Sequence, residues 1–207
     1  MNQESPDSPI DADPRDRLID AMLVVVAKGG WAIVTLDGVA AAAGMPAAEA
    51  KAQFGDRAAL LQAFADRVDA AACAEAEPQT DDAARYDALL DILMQRFEIL
   101  QKHRTAVLRL LRDVPTDPCT LLRCLPQSQR AFRGIAGAAG YPDRGLSGVV
   151  MGKALLAVWL VVQRDWLRDE TPDLSVTMAS LDRHLGRALG FLGSVVRRGD
   201  TLFGQQA

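Results

Sequence analysis

The sequence predicts an all-α chain of about nine helices, an N-terminal helix-turn-helix followed by a larger helical bundle. Three observations predict it. Apolar residues recur at helical spacing along most of the chain. Start and stop signals punctuate the pattern: Asp13-Pro14, Thr35, Gly55-Asp56, Asp117-Pro118 and Thr171-Pro172-Asp173. No stretch alternates apolar and polar residues as a half-buried strand would, and no internal repeat is present.

Residues 1–13 hold Glu4, Asp7, Asp11 and Asp13, two prolines and no basic residue, and read as a disordered acidic tail. Asp13 caps the first helix, with Pro14 in its first turn. Leu18, Met22, Val25 and Val26 form its apolar face, and Gly29-Gly30 ends it. After the connector Trp31, Ile33 and Val34, Thr35 caps a second helix that runs to Ala43. Gly44 supplies a turn, and Pro46 opens a third helix ending near Phe54. Gly55-Asp56 stops that helix and caps a fourth over 57–76. Pro78 and the Gln79–Asp82 cluster mark the strongest boundary. A fifth helix is predicted over 82–101, with Tyr86, Leu90, Leu93, Phe97 and Leu100 on one face. A short sixth covers 103–112. The seventh starts at Asp117-Pro118 and is bent or broken at Pro126. Gly140-Tyr141-Pro142 is a loop, an eighth helix covers 145–168, and Thr171-Pro172-Asp173 opens a last one to about 196. The glycine- and glutamine-rich end, 199–207, is expected to fray. The domain reading is therefore 14–55 for the helix-turn-helix and 56–198 for the bundle.

Composition excludes several classes. Three cysteines without a CxxC, and two histidines far apart, give no zinc site or disulfide framework. They suit a reducing, cytoplasmic setting. The polar, acidic start is not a secretory signal. The longest apolar run, Leu146 to Val162, is short for a membrane span and interrupted by Lys153, so a buried helix is expected and no membrane span. There is no GxSxG, no HExxH and no phosphate-cradling loop. The glycine-rich stretch 134–140 follows no strand, so it is no dinucleotide site. The expectation is a non-enzyme with no catalytic residue, metal or cofactor.

The stretch 35–61 has the layout of a DNA-reading helix-turn-helix. The chain's net charge is −4, which gives no whole-molecule attraction to nucleic acid. Within 14–61, however, Asp16, Asp20, Asp37, Glu49 and Asp56 are balanced by Arg15, Arg17, Lys28, Lys51 and Arg57. The module is neutral rather than acidic. A neutral module binds DNA if its bases face the duplex and helix N-termini donate to phosphates.

Residues 15–64 resemble the N-terminal domain of TetR-family transcriptional repressors. The features that carry this are the Gly-Trp connector, Thr35-Leu36, Val39-Ala40-x-x-Ala43-Gly44-Met45, Phe54-Gly55-Asp56-Arg57 and Leu60-Leu61. The resemblance implies a regulator, presumed a repressor by family, that reads a palindromic operator in double-stranded DNA as a homodimer and responds to a small hydrophobic effector. It places Thr35, Ala47, Ala48, Glu49, Lys51, Gln53 and Arg57 at the DNA. Lys51 takes the place of the family's phosphate-contacting aromatic residue. Gln53 suits adenine and Glu49 suits cytosine N4, while Ala47 and Ala48 suit a thymine methyl.

A second resemblance covers 84–195. Arg85-Tyr86-Asp87 through Arg112, and Trp166-Leu167-x-Asp169-Glu170-Thr171-Pro172-Asp173 with Thr177 and Leu181-Asp182-Arg183, are similar to ubiquinone-biosynthesis accessory proteins. These share the same fold and bind lipid without using DNA. They are the alternative reading.

Either resemblance implies an apolar ligand in the bundle. Leu90, Met94, Phe97 and Leu108 are the expected wall residues, with Leu111, Phe132, Leu155 and Trp159. Gln129, His103 and Tyr141 are the polar candidates. Gly148 and Gly152 are spaced one helical turn apart, as are Gly186 and Gly190, with Gly193 beyond. Glycine in a helix interior costs about 1 kcal/mol against alanine, which points to close approach of another helix. The dimer reading assigns Gly148, Val149, Gly152, Leu156, Leu185, Leu189 and Leu192 to an interface between copies, and half-site reading needs two of them.

Overall fold

The computed structural model describes residues 13–203, with side chains described as far as Ser194. The expected acidic tail lies outside them except for Asp13, and so do residues 204–207. Among the described residues there are nine α-helices and no strand. They are α1 Pro14–Gly29, α2 Leu36–Ala42, α3 Ala47–Gln53, α4 Arg57–Ala72, α5 Asp82–Gln101, α6 Arg104–Asp113, α7 Pro118–Ala138, α8 Gly145–Trp166 and α9 Ser175–Phe203. Single 3₁₀ turns lie at Trp31–Ile33 and Val114–Thr116.

The caps explain most of the boundaries. Asp13 accepts from the Arg15 amide at 2.9 Å, and Thr35 Oγ1 accepts from the Gly38 amide at 3.1 Å. Gly44 has φ +65° and turns α2 into α3, a conformation that favours glycine. Asp56 accepts from the Ala59 amide at 2.9 Å and opens α4.

Three expected ends move. α4 stops at Ala72 rather than 76. α9 continues to Phe203, past the end expected near 196. Pro126 does not interrupt α7. A proline removes one helix hydrogen bond. The carbonyl that loses its donor belongs to Leu122, and both residues are exposed, so solvent substitutes.

The chain forms two compact units. One takes the chain up to Ala70 together with Glu98–Gln127, and the other takes Ala71–Phe97 and the chain from Ser128 onward. In the first, α1 packs on α2 and on α6, around Leu18, Met22, Val26, Trp31, Leu60 and Val107. In the second, α8 and α9 pair closely. Its core holds Leu89, Leu93, Ile135, Leu155, Leu181 and Leu185, together with an aromatic cluster. Phe97 stacks on Trp159 with ring centroids 4.0 Å apart, and Phe132 tilts against Trp159 at 5.8 Å. The buried Arg96 guanidinium lies 4.2 Å from the Trp159 ring, a cation–π contact.

Among the described residues one helix, α8, is long and apolar enough to cross a membrane, with 22 residues and mean hydropathy 1.9. Its buried residues, Leu155, Val158, Trp159, Val162 and Trp166 among them, belong to the core of the second unit.

Candidate nucleic-acid interface and an apolar groove

The helix-turn-helix is built by α2 and α3. Val39 and Ala40 of α2 and Ala50 of α3 are buried, while Phe54 closes the core beneath them at 3% exposure. Everything else on α3 faces outward: Ala47, Ala48, Glu49, Lys51 and Ala52 are exposed, and Gln53 is half-buried. The outer face of α3 is thus small, sparsely charged and unobstructed.

Most bases around it are engaged. Lys51 Nζ lies 2.7 Å from Asp37 on α2, with both side chains more than half exposed. Arg15 donates to the Gln53 carbonyl at 3.2 Å and lies over the Phe54 ring. Arg17 donates to the Ala43 carbonyl at 2.9 Å. Arg57 donates to the carbonyls of Trp31 and Val34, both at 3.3 Å, and to Asp117 at 2.7 Å. Arg57 therefore ties the start of α4 to the turn after α1 and to Asp117. Thr35 is exposed, with its hydroxyl oxygen accepting from the start of α2.

Asp117 is the centre of this tie. Its carboxylate accepts from Thr120 Oγ1 at 2.7 Å and from Trp31 Nε1 at 3.2 Å, besides Arg57. The Thr120 hydroxyl and amide, then Trp31 and Arg57, hold its pKa well below the usual carboxylate range. Asp113 accepts from the Trp31 amide at 2.9 Å. The connector between α6 and α7 thus pins the turn that follows α1.

The second unit carries a groove of about 890 Å³ between the start of α5, the first half of α8 and α9. Leu146, Val150, Met151, Leu189 and Leu192 give it apolar walls, with Gly186, Gly190 and Gly193 along one side. Asp82, Arg85, Tyr86, Tyr141 and Ser147 supply the polar lining.

Three solved structures share this arrangement. A TetR transcriptional regulator from Nitrosomonas europaea matches 86% of this chain and 99% of its own, at TM-score 0.67 and 20% identity. The fold is that of TetR regulators. A TetR transcriptional regulator from Rhodococcus sp. RHA1 gives TM-score 0.60 at 18% identity, over 84% of this chain and 95% of its own. A transcriptional regulator from Rhodococcus sp. Rha1 gives 0.54 at 18% identity, over 86% and 97%. No protein-family model matches the chain, and no curated protein does.

Within this TetR fold the expected ligand walls divide between the two units. Leu108 and Leu111 are half-buried in the first. Leu90 and Met94 are half-buried in the second, where Phe97, Phe132, Leu155 and Trp159 are packed core residues. Three residues of the dimer assignment have close neighbours within the chain. A Cβ on Gly148 would lie 2.3 Å from the Asp143 backbone, and one on Gly152 would lie 2.4 Å from Arg133 Cγ and 2.9 Å from the Gln129 carbonyl. Both glycines accommodate neighbours in the same chain. Leu185 is fully buried. Val149, Leu156, Leu189 and Leu192 stay partly exposed. The groove itself escaped the sequence reading. Its signal was the Gly186–Gly190–Gly193 spacing, read there as room for another helix, and Tyr141, read only as one of three polar candidates.

Proposed function

We propose that the chain is a cytoplasmic, non-enzymatic DNA-binding transcriptional regulator that reads a palindromic operator as a homodimer and answers to an apolar effector. The observation that carries this reading is the outer face of α3, exposed from Ala47 to Ala52 except for Ala50. Its small residues let the helix backbone come close to base edges. Thr35 lies at the N-terminus of α2, where amides suit a phosphate. Glu49, Lys51 and Gln53 are the base and phosphate contacts. Arg57 acts by holding the start of α4 rather than by touching DNA. Two copies joined through α8 and α9, with Val149, Leu156, Leu189 and Leu192 at or near the contact, give the two half-sites. An effector switches the protein only by binding two of its conformations with different affinity.

A second reading is favoured by one observation. Arg15, Arg17 and Arg57 donate to acceptors in their own chain, and Lys51 pairs with Asp37. That arrangement suits a lipid-binding accessory protein that keeps the fold and does not use DNA. Titration of the chain's own upstream DNA across a salt series separates the two. The regulator binds specifically, with affinity falling as salt rises, and loses affinity in Lys51→Ala. Absence of binding even at low salt, with lipid co-purifying, selects the accessory protein.

A further inference from the structure

We propose that the cleft between α1 and the start of α6 is a docking site for the chain's own N-terminal segment, with Glu4 and Asp7 on its basic rim and Pro6 against its apolar floor. The inference stands apart from the DNA reading.

The cleft lies within the first unit and has a volume of about 410 Å³. Leu23, Val24 and Ala27 of α1 form one side, and the stretch Gln101–Ala106 forms the other. Val24 is 49% exposed, so the floor offers apolar surface to an occupant. The rim is basic. Lys102 borders the cleft, Lys28 stands one turn beyond Val24, and Arg109 lies further along α6. None of these three forms an ion pair among the described residues. The two acids beside them are already matched: Asp20 by Arg67 at 2.6 Å, and Asp113 by Arg112 at 2.8 Å. Burial, and then Arg67, pull the His103 pKa below its ordinary value, so this residue adds no charge at neutral pH. The cleft is left with an excess of positive charge.

Residues 1–12 supply the complement. They carry Glu4, Asp7 and Asp11 and no lysine or arginine. They join the described chain at Asp13, the cap of α1. A helix rises about 1.5 Å per residue, which sets Leu23 to Ala27 roughly 15–21 Å along α1 from Asp13. A chain spans at most about 3.5 Å per residue, so Asp11 is held within roughly 7 Å of Asp13, Asp7 within about 21 Å and Glu4 within about 31 Å. Asp11 falls short, and Glu4-Ser5-Pro6-Asp7 is the acidic stretch that reaches the cleft. Between its two acids, Pro6 brings an apolar ring and no N–H to desolvate. Single exposed ion pairs are weak, but attachment gives the segment an effective concentration of about millimolar. The helix-turn-helix is a poorer seat. Lys51 pairs with Asp37, and Arg15, Arg17 and Arg57 donate within the chain.

Zero-length carbodiimide coupling of the full-length protein tests this. The reagent joins a carboxylate to an amine in contact with it, and the chain has four lysines, Lys28, Lys51, Lys102 and Lys153. Peptide mass spectrometry then reads which of them Glu4 and Asp7 touch. At low salt, coupling to Lys102 and Lys28 is expected to exceed that to Lys51 or Lys153 roughly fivefold or more. It is expected to fall away toward about 1 M salt, where the Debye length is about 3 Å. Lys102→Arg keeps the charge but does not couple, and is expected to leave the Glu4–Lys28 link in place. Lys102→Glu is expected to lower that link roughly threefold or more. Lys102 is exposed, so both variants fold, and thermal melts verify that. No coupling at low salt, even coupling to all four lysines, or a Lys28 link equal in the two variants overturns the proposal. Coupling chiefly to Lys51 also overturns it and assigns the segment to the helix-turn-helix. Mixing isotopically labelled and unlabelled protein separates links within a chain from links between copies. Links found only between copies overturn the assignment to the chain's own cleft.

Discussion

Lys51 and Asp37 form a pair that water reaches on both sides. Such pairs contribute about 0–1 kcal/mol, little enough for a phosphate to compete. Under the regulator reading, Asp37→Asn therefore frees Lys51 and tightens DNA binding roughly two- to fivefold. Lys51→Ala weakens it on all sequences alike and lowers the salt slope by about 1. Fluorescence anisotropy with operator and scrambled duplexes measures both effects. The sequence placed Lys51 outward but not its partner, because Asp37 lies on another helix and no periodicity links them. Asp169 is a second residue whose role is set by distant sequence. It is buried, and its carboxylate accepts from the Thr177 amide and hydroxyl, both at 2.7 Å, and from Thr171. Burial opposes its charge, but these donors prevail and bring its pKa down to about 2. A depressed carboxylate pKa adds stability that is present above the unfolded value near 3.9 and is lost as pH falls through the folded one. Between about pH 4 and pH 2 the wild type is expected to lose stability, and Asp169→Asn is expected to flatten that part of the profile. Urea titrations at a series of pH values measure it.

Glycines divide the helices of the second unit into two kinds. A Cβ at Gly148 would lie 2.3 Å from backbone, which cannot yield as a side-chain tip does, whereas Gly190 faces open space. Gly148→Ala should destabilise by about 1–3 kcal/mol through overpacking. Gly190→Ala should stabilise by up to about 1 kcal/mol through helix propensity. Opposite shifts in denaturation midpoint distinguish the two, and like shifts would contradict the assignment. From sequence these positions look alike, since each is a glycine at helical spacing. Helix existence was legible because apolar period and caps agreed along most elements. Ends were less so: Ala72 closes α4 between Ala71 and Cys73, and no glycine or proline marks the stop. α7 shows a different limit. Its proline reads as a break, but solvent at Leu122 and Pro126 lets the helix continue.

At the scale of the whole molecule, the second unit rests on Phe97, Phe132, Trp159 and Arg96 packed ring to ring and ring to cation. Trp159→Ala should cost about 3–5 kcal/mol, read from urea unfolding. These residues were legible as bundle residues; whether they wall a cavity or fill a core depends on contacts between helices remote in sequence. The same remoteness governs the first unit. Trp31 donates its amide to Asp113 and its indole N–H to Asp117, carboxylates 82 and 86 residues further along the chain. The helix-turn-helix is consequently not a cassette that can be cut out at residue 55 and grafted elsewhere. A fragment ending at Ala70 would leave the Trp31 amide and indole N–H without Asp113 and Asp117, and the Arg57 guanidinium without Asp117, and chimaeras that exchange the helix-turn-helix must carry Glu98–Gln127 along with the N-terminal helices.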